Sequence, residues 1–390
     1  MTPTIQQHPD DVVDTRFPIT ILSGFLGSGK TTVLNNLLKP SFWERLFRVP
    51  PLTAVIMNEF GSVGLDHQLV GDSQGPMALL NGGCICCEIQ GSLVPTLKNL
   101  WMGRRDGKLP PYERIIIETT GIADPTSVME TLLRSEWVAR RHYLDGVVIT
   151  VDAVFAAGQL DEHFEAVRQV ATADRLLLTK TDLADADTIA NLESRLHTLN
   201  PSAPIVRVLH GEVDPEHVFK LRAYHQTEPV QAKQWLAAEQ FRIVAPTPLL
   251  KPGIRNPTRP ASPGVDGRIR SFSLVFDEPL PWQGVAEALE MLAGFCSHRL
   301  LRMKAIVNVQ EYPGRPVVLH AVQNLFYPSV ELPHWPDDDQ RSRFVFIIAD
   351  LDEQFVARML EEFTQAARHQ NTDATRMNYG LGLAMAGDKR

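Results

Sequence analysis

The sequence predicts an α/β chain: a mostly parallel sheet covered by helices, followed by a smaller α+β domain with a largely antiparallel sheet. Three observations carry that expectation. Short apolar runs alternate with amphipathic stretches through the first half; a glycine-rich loop stands between one such run and a helical pattern; and several strand-like runs follow one another late in the chain. Near-continuous apolar strands separated by helices imply a parallel sheet buried on both faces, whereas strands in succession imply antiparallel pairing.

Taken in order, residues 1–16 are polar and are expected to form a flexible N-terminus. Phe17 to Leu22 reads as a short buried strand, and Thr32 to Leu38 as a helix with Val33, Leu34, Leu37 and Leu38 on one face. Further strands are expected at Leu52–Met57, Arg114–Ile117, Gly146–Val151, Arg175–Leu178 and Ile205–Val208, with a helix at Thr188–Leu199, so that residues 17–220 make one domain. Between 221 and 266 the pattern dissolves, and the seven prolines from Pro229 to Pro263 mark a linker in which Gln234–Phe241 is long enough for a short helix. A second domain over 267–368 is built from strands at Ser271–Phe276, Leu301–Val309, Pro316–Gln323 and Arg343–Ile348 and helices at Trp282–Leu292 and Asp352–Arg368, leaving 369–390 as a tail.

At 390 residues the chain exceeds what one hydrophobic core supports, and 44% hydrophobic with 22% charged is an ordinary soluble composition. The net charge of −8 argues against general binding to nucleic acid or anionic membranes, and no apolar stretch approaches a spanning length. The expectation is a cytoplasmic protein with neither nucleic-acid nor membrane partners.

Gly24-Phe25-Leu26-Gly27-Ser28-Gly29-Lys30-Thr31-Thr32 matches Gly-x-x-x-x-Gly-Lys-Thr and falls at a strand-to-helix turn, the context a phosphate-binding loop requires. Gly24, Gly27, Ser28, Gly29 and Thr32 belong to the loop whose backbone N–H groups curl round anionic oxygens. Lys30 reaches the terminal phosphates, and the Thr31 hydroxyl would ligate Mg²⁺. Downstream, the apolar strand ending at Glu118, with Gly121 just beyond, stands where such proteins place the acid that organises Mg²⁺ and the amide that senses the γ-phosphate. Thr179-Lys180-Thr181-Asp182 follows a third buried run. A carboxylate there accepts from guanine N1–H and the exocyclic amine together, a pairing adenine does not reciprocate, while the Lys180 stem lies over the base.

Only four cysteines are present, and Cys84, Cys86 and Cys87 crowd into one Cys-x-Cys-Cys window. Neighbouring cysteines are poorly placed to bridge one another, and soft thiolates favour zinc or Cu(I), so metal binding is the better reading over a redox or buried-residue role. A fourth ligand is open between Glu59, His67 and water. Cys296, beside an apolar stretch, is expected to be an inert core thiol. His298, His320 and His334 read as satisfied polar residues or partner contacts rather than ligands, and Arg341 and Arg343 with Asp337-Asp338-Asp339 as a solvated loop, with an interaction face the minority reading.

These motifs, with Asn58-Glu59-Phe60-Gly61, Glu118-Thr119-Thr120-Gly121 before Ala123-Asp124-Pro125, and the runs Leu301–Asn308 and Gly314–His320, together resemble the CobW family of P-loop GTPases over roughly residues 17–350. The resemblance implies a P-loop GTPase domain followed by a CobW-type C-terminal domain, and a GTP-hydrolysing metallochaperone that uses GTP and Mg²⁺. Its cargo would most often be zinc, with Co²⁺ in a cobalamin branch and nitrile hydratase activation in another; a non-catalytic zinc-binding module is the further alternative. On this resemblance Lys30, Thr31 and Glu118 are catalytic, and Gly24, Gly27, Ser28, Gly29, Lys30, Thr31, Thr32, Gly121, Thr179, Lys180 and Asp182 bind nucleotide. Cys84, Cys86 and Cys87 hold the metal, and a client metalloprotein docks through the C-terminal domain, with a homodimer left open. Met57 and Ser62 stand where members often carry acidic residues, and Thr179 where guanine motifs more usually have Asn.

Overall fold

The structure, a computed structural model, describes residues 5–6, 16–38, 53–58, 77–80, 89–223, 229–245, 268–296 and 298–384. Cys84, Cys86, Cys87, Glu59 and His67 lie outside the described residues. The chain divides into two compact units. One spans Pro9–Gln226 with Pro260–Ser271, the other Thr227–Arg259 and Phe272–Arg390 together with Met1–His8.

The strand β1 (Ile5–Gln6) belongs to the second unit. The first unit is built on a sheet of β2 (Phe17–Gly24), β3 (Thr53–Asn58), β4 (Met77–Leu80), β5 (Arg114–Glu118), β6 (His142–Asp152), β7 (Arg175–Thr179) and β8 (Ile205–Arg207). The strand order is β4-β3-β5-β2-β6-β7-β8, and every neighbouring pair is parallel. Parallel strands bring all their C-terminal ends to one edge, which is where ligands of open α/β sheets bind. The strands are apolar because both faces are covered: Ile19, Ile21, Ile115, Val147, Val148, Leu176, Leu177 and Leu178 are all buried. The helix Lys30–Leu38 turns Val33, Leu34 and Leu37 into a cluster with Val55, Met57, Ile116 and Val148. Met57 is thus a core residue. Asp124 and Asp185 cap the helices Pro125–Arg134 and Ala186–Leu199 by accepting from the backbone N–H groups of Thr126 and Thr188.

The second unit holds a mixed sheet of β9 (Ile269–Phe276), β10 (Leu300–Val307), β11 (Val317–Val322), β12 (Leu325–Phe326), β13 (Ser329–Glu331) and β14 (Ser342–Ala349), in the order β1-β13-β11-β10-β14-β9 with β12 on β11. β10 runs antiparallel to both β11 and β14. The helices Trp282–Cys296 and Glu353–Ala384 cover one face, where Leu289, Leu292, Val356 and Leu360 meet Met303, Leu319, Phe344 and Phe346.

Several elements depart from the sequence expectation. Within residues 1–16, Ile5–Gln6 pairs in parallel with β13 rather than standing apart. Within 221–266, Pro229–Leu236 is helical and groups with the second unit. The last helix runs on through Ala384. Arg343 is no loop residue: it is buried on β14 and pairs with Asp337 at 3.0 Å, although Arg341 beside it is exposed. Cys296 is buried, and burial pushes its thiol pKa up, as an inert thiol requires.

Candidate nucleotide site

At the end of β2 the chain passes through Gly24 with φ of +141°, so close to β6 that a β-carbon there would lie 2.3 Å from Thr150 Oγ1 and 2.4 Å from Thr150 O. Only glycine permits that approach. Gly27 and Gly29 also take positive φ, +72° and +89°. Ser28 is buried; its hydroxyl donates to Phe25 O at 2.7 Å and lies 2.6 Å from Thr150 Oγ1. It therefore shapes the loop from behind. Lys30 starts the helix, and its Nζ donates to Gly24 O at 2.9 Å and Phe25 O at 3.0 Å, so the ammonium spans the loop. Thr32 is exposed on the helix's first turn.

Beside β2, strand β5 ends in Glu118, whose side chain is buried and accepts from the Thr31 hydroxyl at 3.0 Å. The chain then turns past the phosphate loop. Thr119 N donates to Leu22 O at 3.0 Å and Thr119 Oγ1 to Ser23 Oγ at 2.6 Å. Gly121 packs so tightly that a β-carbon would lie 2.7 Å from Leu26 N and 2.8 Å from Leu26 Cα. Lys30, Thr31, Glu118 and Gly121 thus converge on one loop, although they come from segments about ninety residues apart.

On the other side, Thr179 closes β7, and its hydroxyl donates to Ser28 O at 2.8 Å and Val151 O at 3.1 Å. An asparagine amide is absent here, and the threonine instead ties the end of β7 to the phosphate loop. Lys180 takes φ of +55°, and its Nζ pairs with the buried Asp152 carboxylate at 2.6 Å. Asp152 in turn accepts from Val154 N at 2.8 Å and Phe155 N at 3.2 Å, so the lysine stem is held in one direction, beside the exposed Phe155 ring. Asp182 lies 3.9 Å from His210 Nδ1. His210 itself is anchored by Asn36 Nδ2, which donates to His210 O at 2.8 Å. Asp182, Lys180, Phe155 and His210 are therefore gathered at the C-terminal end of β7, where the sequence placed the base reader.

Sequence reasoning missed Asp152, His210 and the buried Gln169, whose amide Nε2 donates to Gly121 O at 3.2 Å and Ala123 O at 3.0 Å. Asp152 carried a usable signal, since it ends an apolar strand as Glu118 does. Gln169 carried none, being one polar residue in an amphipathic helix. Among the described residues, no group of three or more His, Cys, Asp or Glu side chains is placed to hold a metal ion.

A phosphate loop, a strand-end acid bonded to its threonine, and a carboxylate at the base edge of a parallel sheet define a P-loop GTPase. The comparisons narrow the class. Residues 18–207 match the CobW/HypB/UreG nucleotide-binding domain and residues 269–364 the cobalamin synthesis protein CobW C-terminal domain. The chain is 33% identical over 340 residues to the zinc chaperone YjiA of Escherichia coli, covering 86% of this chain and 95% of that protein. To the zinc chaperone CobW of Pseudomonas aeruginosa it is 27% identical over 383 residues, covering 88% and 91%. The crystal structure of Zn(II)-bound YjiA GTPase from E. coli aligns with a TM-score of 0.64 at 28% identity, covering 89% of this chain and 99% of that one. A Zn(II)-bound variant of the same GTPase, with one glutamate and two cysteines changed to alanine, aligns at 0.65. The chain belongs to the CobW family.

Proposed function

We propose that this protein is a metallochaperone that uses GTP hydrolysis to gate custody of a divalent cation, zinc before cobalt, held by Cys84, Cys86 and Cys87 and passed to a client metalloprotein docked on the C-terminal domain. The observation that carries the nucleotide half is the Thr31 hydroxyl bonded at 3.0 Å to the buried Glu118 carboxylate beneath the phosphate loop. Two hard oxygen donors in contact fit Mg²⁺, which keeps most of its own waters and takes one or two protein ligands. Bound there, the ion would offset charge on the β- and γ-phosphates. Lys30 exchanges its two carbonyl partners for phosphate oxygens and neutralises the transferring group. The loop N–H groups fix the phosphates in line, and Asp182 selects guanine. Among the described residues, none at the site serves plainly to orient the attacking water, which predicts slow intrinsic turnover.

The metal half rests on the thiolates and on connectivity. The cysteine segment leaves the C-terminal end of β4, two strands from β5 in a wholly parallel sheet, so it starts from the same edge as Glu118, about 10 Å away at ordinary strand spacing. The relatives named zinc chaperones support zinc as the cargo.

The test is metal affinity by chelator competition, with GDP and with a non-hydrolysable GTP analogue. Coupling of roughly 1–3 kcal/mol is expected, tighter with the GTP analogue, and reciprocity requires metal to tighten the analogue by the same factor. Replacing Cys86 and Cys87 by Ser should remove the coupled site and spare GTP binding. Affinity should also fall with pH, because the ligands must be thiolates. Equal affinities in the two nucleotide states would remove the chaperone reading and leave a GTPase that binds metal.

A further inference from the structure

We infer that Gln169 is a positioning residue for GTP hydrolysis, fixing the loop after β5 so that the protein distinguishes GTP from GDP. Gln169 sits in the helix Phe164–Thr172 at 1% exposure, and its Nε2 donates to both Gly121 O and Ala123 O, at 3.2 and 3.0 Å. A side-chain amide has two N–H donors, so both are spent on one loop. The neighbouring Arg168 reaches the same segment, pairing with Asp124 Oδ2 at 3.0 Å, and Asp124 caps the helix Pro125–Arg134. At the start of the same helix, the His163 ring stacks on Phe25 of the phosphate loop, centroids 4.8 Å apart. One helix thus grips both the phosphate loop and the loop that packs against it through Gly121 and Leu26.

The consequence is geometric. With the Gly121 and Ala123 carbonyls held from behind, and the N–H groups of Thr119 and Ala123 given to Leu22 O and Thr120 O, Gly121 is held against Leu26 of the phosphate loop, where its N–H would meet a γ-phosphate and be indifferent to a diphosphate. Gln169 touches neither nucleotide nor metal; it acts through the backbone it holds. This rests on the reading of Thr119–Gly121 as the segment that faces the γ-phosphate.

The experiment compares the unmodified protein with Gln169→Glu, which keeps the shape but sets a carboxylate against two carbonyl oxygens, and Gln169→Met, which has no donor. The measurements are kcat/KM for GTP, affinities for GDP and for a non-hydrolysable GTP analogue, and hydrogen exchange at residues 119–123 in both nucleotide states. Losing two buried hydrogen bonds should lower kcat/KM and analogue affinity roughly tenfold, leave GDP affinity within about twofold, and erase the nucleotide-dependent protection. An equal loss for GDP and the analogue would make Gln169 a general structural residue, and unchanged values would also overturn the inference. If Gln169→Glu does not fold, Gln169→Met carries the same outcomes. If the unmodified protein shows no nucleotide-dependent protection at 119–123, the assignment of the loop fails, separately from the role of Gln169.

Discussion

Asp182→Asn converts the proposed guanine reader from a double acceptor into a group that presents one acceptor and one donor. The side chain is about a third exposed, at 31%, so a charge-assisted pairing there falls short of the full value of a buried one. Hydrogen bonds to charged groups contribute about 1.5–3 kcal/mol, and with solvent screening the lower half of that range applies, a loss on the order of tenfold to thirtyfold in GTP affinity. His210 Nδ1, 3.9 Å from the carboxylate, is beyond hydrogen-bond reach and leaves that figure unchanged. Xanthosine triphosphate should gain, because its C2 oxygen accepts from the new amide. The assay is competition of GTP, ATP and XTP against a fluorescent guanine nucleotide. Equal competition by ATP and GTP in the unmodified protein, or a variant that keeps full GTP preference, would refute the assignment of Thr179–Asp182 as the base reader.

Two further outcomes follow from the same geometry. Lys30→Ala removes the cation that spans the phosphate loop and should lower GTP turnover by on the order of a hundredfold or more with the fold intact by circular dichroism; unchanged turnover would remove Lys30 from the catalytic set. His142, buried at the start of β6, is pushed down to about 4 by burial and the adjacent Arg141, only partly offset by the backbone of Val138. The unfolded chain therefore takes up that proton first: the stability is present above about pH 6.5 and is lost as pH falls toward 4, by roughly 3 kcal/mol across the window. Urea unfolding of His142→Phe should show a flatter acid limb than the unmodified protein, and an identical limb would place the acid sensitivity elsewhere, beginning with the buried His320, whose pKa is lowered in the same direction.

What could be read before the structure, and what could not, divides by the range of the interaction. Gly24 to Thr32, Glu118 and Asp182 were legible because each lies at the C-terminal end of an apolar run, and local pattern identifies both the run and its end. β10 was legible despite carrying the buried Arg302 and Lys304, since Leu300, Met303, Ala305 and Val307 still mark its core face. The two residues of β1 have no period to detect, and Pro229–Leu236 was masked by the prolines that follow it. Gln169, 48 residues from Gly121, and His210, 174 residues from Asn36, act across the fold and leave no local trace.

Thr179 stands where guanine motifs more usually have Asn, and in the fold its hydroxyl bonds Ser28 O, the carbonyl one residue before Gly29. A single hydrogen bond thereby joins the end of β7 to the phosphate loop. The phosphate loop in turn touches Gly121, which Gln169 holds, and Glu118 lies one strand from β3 and two from β4, the strand that leads into the cysteine segment. In a sheet whose strands are all parallel, the C-terminal ends of β4, β3 and β5 share one edge by necessity. That shared edge, from which the chain leaves β4 toward the cysteines, is the argument for the proposed coupling of metal to GTP, and the paired chelator measurements address it directly.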